Sequence, residues 1–145
     1  MDAHKNRVLF ICTHNSARSQ MAEGLLRHLA GDSFEVESAG TEKTRVRPLA
    51  IRAMAEIGID ISGHTSKTLG RLLDEPWDYV ITVCDQANEA CPVFPGGKTR
   101  LHWSFDDPSA ATGTEEEQLA VFCRVRDEIR ERIRDYVAGE LEIEI

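Results

Sequence analysis

The uninterrupted apolar run Val8-Leu9-Phe10-Ile11, closed by Cys12, reads as a buried strand. Met21, Ala22, Leu25, Leu26 and Leu29 then recur at helical spacing, so a helix begins near Ser19 and closes at Gly31. Phe34 to Ser38 alternates like a strand with one wetter face. Pro48 suits the first turn of the next helix, whose apolar positions Ile51, Met54 and Ile57 precede a stop at Gly58. Trp77 to Val83 reads as a third strand and Arg100 to Trp103 as a fourth. Thr114 and Glu117 form a capping box, which opens a long helix running to about Ala138. Beyond it, Leu141, Ile143 and Ile145 alternate like an edge strand, and a short frayed tail fits as well. No repeat, low-complexity tract or linker divides the chain, so residues 1–145 are expected to form a single domain. Strand and helix in alternation predict an α/β fold with parallel strands and helices on both faces.

Composition changes this picture little. The 145 residues are 41% hydrophobic and 29% charged, ordinary for a globular chain with a core of its own. No apolar run reaches the length of a membrane span, and the first residues carry no hydrophobic signal region, so a cytoplasmic location is expected. A net charge of −8 argues against nucleic acid as a partner. Four cysteines in a cytosolic chain point to reactive thiols more than to a disulfide framework.

The chemistry gathers where strands end. Cys12 and Arg18 bracket five residues, Thr13, His14, Asn15, Ser16 and Ala17, between the first strand and the first helix. A loop entering a helix points backbone N–H groups at one spot, and the helix dipole adds partial positive charge there. Arg18 can grip two oxygens of a tetrahedral oxyanion. The same field favours the thiolate of Cys12, the reactive form, to which Ser19 can donate a hydrogen bond. The segment from Thr13 to Ser19 is therefore the expected oxyanion cradle. His14 reads as a spacer or neighbour of the anion.

Cys84 and Cys91 make a C-x6-C segment, the wrong spacing for common zinc ribbons, so no metal is expected there. Asp85 to Ala90 reads as a short helix ended by Pro92. Seven helical residues rise roughly 10 Å, more than the roughly 4.4–6.8 Å that a disulfide allows between Cα atoms. A bond between Cys84 and Cys91 would thus require the segment to unwind. In an open parallel sheet ligands bind beyond the carboxyl ends of the strands. Cys12, Cys84 and the pair Asp106-Asp107, just ahead of Pro108, all follow strand ends and should share one rim. Cys123 on the last helix reads as an inert packed residue, and His102 and Trp103 as the end of a strand. Arg124, Arg126, Asp127, Glu128, Arg130, Glu131 and Arg132 read as a solvated face.

The run from Cys12 to Glu23, Ser38-Ala39-Gly40-Thr41, His64-Thr65-Ser66-Lys67, the pair Cys84 and Cys91, and the stretch from His102 to Pro108 occur in the order found in one family. The chain resembles the thioredoxin-coupled arsenate reductases, which are built on the low-molecular-weight protein tyrosine phosphatase fold. That resemblance implies a four-stranded parallel sheet in the order 2-1-3-4. It also implies Cys12, Arg18, Cys84, Cys91 and Asp107 as the catalytic set, arsenate as substrate with phosphate competing, and thioredoxin or a similar dithiol as reductant. The general acid is placed at Asp107 because the phosphatase relatives carry theirs immediately before the proline. Ala17 stands where some reductases have a further cysteine that takes no part in the relay. Some members hold potassium with residues matching Asn15, Glu23, Ser38 and Thr65. Here Lys67 replaces a carboxylate used there, and neither bound potassium nor another cofactor is expected. The alternatives are a tyrosine phosphatase, with Cys12, Arg18 and Asp107 in the same roles, and a thiol switch without catalysis. The phosphatases wall their site with aromatic residues where this chain has Ser109-Ala110-Ala111-Thr112.

Overall fold

The computed structural model describes residues 6–12, 15, 17–40, 45–68, 70, 72, 75–83 and 97–144. Its strands are β1 (Asn6–Cys12), β2 (Phe34–Gly40), β3 (Trp77–Thr82) and β4 (Gly97–His102). They form one all-parallel sheet in the order β2-β1-β3-β4, as expected. The helices are α1 (Arg18–Ala30), α2 (Pro48–Ala55) and α3 (Glu115–Glu144), with a short 3₁₀ turn at Pro108–Ala110. No helix among the described residues is long and apolar enough to cross a membrane.

Val8, Leu9, Phe10 and Ile11 alternate between the two faces of β1, and all four are fully buried. The centre of the sheet is therefore covered on both sides, which is why β1 has no polar position in its middle. Met21, Ala22, Leu25 and Leu26 of α1 join this core. Gly24 lets α1 come close to its neighbours, since a Cβ there would lie 2.8 Å from Ile61 Cγ2 and 3.1 Å from Met54 Cε. Leu29, expected on the same stripe, is 38% exposed. It falls in the last turn of α1, beside the exposed Arg27 and His28.

Helix ends follow their local chemistry. Thr114 N donates to Glu117 Oε1 and Glu117 N to Thr114 Oγ1, the reciprocal pair of a capping box. Gly58 has φ +79°, and Gly58 N and Ile59 N donate to Ala55 O and Met54 O, which closes α2 as a Schellman motif. Gly31 does not end α1 this way, because it keeps a right-handed conformation at φ −61°.

Three expectations need correction. Helix α3 runs on to Glu144 rather than ending near Ala138, so there is no edge strand over residues 141–144. Extending an existing helix adds one hydrogen bond per residue fixed, whereas a new strand would need an open sheet edge, and glutamate and leucine are good helix formers. Arg126 is not on a solvated face: it is 7% exposed, and its Nη1 donates to Ala53 O in the last turn of α2 at 2.7 Å. Strand β4 also starts earlier than Arg100, because the ladder to β3 begins at the pair Trp77 and Gly97.

Candidate active site

The parallel register aligns the strand ends that matter. Cys12 pairs with Gly40, Ile11 with Thr82, and Thr82 with His102. Val83 N then donates to Ile11 O and Trp103 N to Thr82 O, so the rim is held just past the strands. A cavity of about 170 Å³ opens there, lined among the described residues by Cys12, Ala17, Arg18, Arg47, Asp107, Ser109 and Ala110. Cys12, the last residue of β1, is 4% exposed.

Arg18 is the first residue of α1 and lines the cavity. Its Nη1 donates to Phe105 O at 3.0 Å, and its Nη2 lies 3.7 Å from Asp107 Oδ2. The side chain is thus aimed from two sides. Asp107 is fixed in turn, because its Oδ1 accepts from Ser109 N at 2.9 Å where the 3₁₀ turn begins. The hydroxyl of Ser109 is buried with no hydrogen-bond partner among the described residues. Asp106 points elsewhere: its Oδ2 meets Arg124 Nη2 of α3 at 3.2 Å. Ala17, at the N-cap of α1, supplies no side-chain cap, and the leading N–H groups of a helix favour an anion.

A buried polar network surrounds Asn15. Asn15 has φ +49°, a conformation that asparagine tolerates better than most residues. Its Nδ2 donates to Ser19 Oγ and Ser38 Oγ, both at 2.9 Å, while its Oδ1 accepts from Lys67 N and Gln20 Nε2. The Asn15 side chain therefore ties the first turn of α1 to Ser38 of β2 and to the backbone at Lys67. Ser19 is fully buried, and in accepting from Asn15 it retains its own proton to donate. Glu23 is 4% exposed and receives Arg27 Nη2 at 2.7 Å, the Ser38 hydroxyl, and Lys67 Nζ at 3.8 Å. The oxygens of Asn15, Glu23 and Thr65 already face N–H or O–H donors here. Arg27, nearer to Glu23 than Lys67, escaped the sequence reading although it stands four residues after Glu23, where helical neighbours meet.

The described residues bring Cys12, Ala17, Arg18 and Asp107 together. Thr13, His14, Ser16, Cys84 and Cys91, with the expected helix from Asp85 to Ala90, lie outside them. Arg47 also lines the cavity, and nothing in the sequence pattern had marked it. Cys123, on α3, makes a 3.4 Å hydrogen bond to Glu56 Oε1, and burial pushes its thiol pKa up, with that bond adding to the effect.

The sequence profile of the low molecular weight phosphotyrosine protein phosphatase family matches residues 7–144. An arsenate reductase of Halalkalibacterium halodurans is 51% identical over 133 residues, covering 92% of this chain and 96% of that protein. A solved structure described as an arsenate reductase in the phosphate binding state is similar, with a TM-score of 0.79 at 36% identity, over 92% of this chain and 98% of that one. A thioredoxin-dependent arsenate reductase of Corynebacterium glutamicum gives a TM-score of 0.73 at 31% identity, over 100% of this chain and 66% of that one.

Proposed function

Because the chain belongs to the low molecular weight phosphotyrosine protein phosphatase family and, within it, with the arsenate reductases, we propose that it reduces arsenate to arsenite through Cys12, Cys84 and Cys91 and is regenerated by thioredoxin or a similar dithiol. One observation carries this reading. Cys12, Arg18 and Asp107 converge on a small cavity with no aromatic side chain among its described lining residues. Such a site suits an inorganic oxyanion better than a phenyl ester, which needs apolar walls.

Arsenate enters with its oxygens on the loop N–H groups and Arg18. The Cys12 thiolate attacks arsenic, and Asp107 gives a proton to the departing oxygen, which leaves as water. The Cys84 thiolate then attacks Cys12 Sγ. The sulfur–arsenic bond breaks with its electron pair staying on arsenic, so arsenic(V) becomes arsenic(III) as a Cys12–Cys84 disulfide forms. Cys91 attacks Cys84 Sγ and releases the Cys12 thiolate, leaving a Cys84–Cys91 disulfide for the external dithiol to reduce. A chain that depends on such a reductant belongs in the cytoplasm.

The test is to assay arsenate and p-nitrophenyl phosphate side by side, with and without thioredoxin, thioredoxin reductase and NADPH. Arsenate-dependent NADPH oxidation through many turnovers is expected, with slow ester hydrolysis beside it. Ester hydrolysis with no arsenate-dependent NADPH oxidation would make the protein a phosphatase instead.

A further inference from the structure

We propose that Arg47 is a substrate-binding residue, a second guanidinium that meets the outward oxygens of the oxyanion from the α2 side of the cavity. The proposal rests on the reading of this cavity as an oxyanion site. Three observations support it. Arg47 lines the same cavity as Cys12, Arg18 and Asp107. It also occupies the N-cap of α2, where serine, threonine, aspartate or asparagine would satisfy the helix, and it makes no side-chain cap. A cation at the positive end of a helix is unfavourable as well. Nothing in α2 therefore accounts for an arginine at this position.

The third observation is that its donors are unspent. The exposed Arg47 guanidinium has no carboxylate or carbonyl partner among the described residues, and of the arginines in that state, which include Arg45 and Arg130, it is the one that lines the cavity. Arg18 gives part of its fork to Phe105 O and Asp107. Arg47 thus adds a second guanidinium to the described lining, on a chain with a net charge of −8. A multiply charged tetrahedral anion supplies the missing acceptors, and a planar fork fits two of its oxygens.

Arg47→Ala and Arg47→Gln are expected to raise the KM for arsenate and the Kd for inorganic phosphate about two- to fivefold, within the range for one charge contact open to water. The fall in kcat should be smaller than the rise in KM, the mark of lost binding. Arg47→Lys should recover most of the affinity. Arg52→Ala removes the same charge from the same helix at a surface pair with Glu115 and should change neither constant. Unchanged KM and Kd in both Arg47 variants, or a shared loss of kcat and Tm with KM unchanged, would overturn the proposal. Equal effects of Arg52→Ala would do so too. If the wild type fails to reduce arsenate yet binds phosphate through Arg47, the reductase reading falls and this binding role stands.

Discussion

Asp106 and Asp107 are adjacent in sequence, but their carboxylates face different cations, Arg124 on α3 and Arg18 in the cavity. Spacing alone does not separate them; the resemblance places the acid at Asp107 beside Pro108, and of the two it is Asp107 that lines the cavity. Asp107→Asn should slow arsenate reduction by about 10²–10⁴, the usual span for a general acid, and Asp106→Asn far less. Equal losses in single-turnover rates would refute the assignment. His64 gives a second test at this scale. Its Nδ1 donates to Gln20 Oε1 and its Nε2 faces Arg27 Nη1, so the neutral ring serves both neighbours. Burial lowers its pKa, Glu23 and Asp60 oppose that, and Arg27 and Lys67 add to it. As pH falls through about 6.5 the unfolded chain takes up its proton first, so stability is full above that value and declines below it. Between about pH 7.5 and about pH 5.5 the wild type should lose more Tm than His64→Gln. Asp60 and Glu117, held low by hydrogen bonds from Ser62 and Thr114, titrate below this window. Parallel Tm profiles for the two proteins would remove His64 from the account.

At the scale of elements, most of the fold was legible because its periodicities are strong: the buried run of β1, the stripe of α1, and the capping box of α3. Strand β4 was read short because its exposed edge residues Thr99 and Arg100 carry no apolar signal, and backbone pairing alone begins the strand at Gly97. The misplacement of Arg126 has a different cause. Consecutive charged residues on a helix cannot share one face, and Phe122, Arg126, Ile129 and Ile133 follow the three- and four-residue spacing of the buried stripe. Val125 lies on the same side, so the stripe is wide enough to take in a guanidinium that ends on the α2 carbonyl of Ala53. Arg126→Ala should cost about 1.5–3 kcal/mol, the range for a hydrogen bond from a charged donor that leaves a buried acceptor unpaired. Denaturant unfolding will measure this. Phosphate affinity should be unchanged, and a variant as stable as the wild type would show that water replaces the bond.

The sheet as a whole decides which residues can meet. Parallel strands send every carboxyl end to one rim, and so the closeness of Cys12 and Asp107 followed from topology before any distance was known. Arg47 was not legible in this way, because it follows β2 by several residues and reaches the cavity from the start of α2. Cys12 ends β1 inside the cavity, and Cys123 lies on α3 bonded to Glu56. Cys84 follows directly after the rim residue Val83 in sequence. If one thiolate begins both oxyanion reactions and two others carry the electrons away, single substitutions must divide the activities. Cys12→Ser should abolish arsenate reduction and ester hydrolysis together. Cys84→Ser and Cys91→Ser should keep ester hydrolysis and end arsenate turnover, because hydrolysis needs water where reduction needs a second thiol. Cys123→Ser should leave both close to wild type, since its raised pKa keeps it a thiol. Multiple-turnover reduction by Cys84→Ser with thioredoxin would refute the relay while leaving Cys12 as nucleophile, and loss of ester hydrolysis in Cys91→Ser would mean that this cysteine supports the loop rather than the electron path.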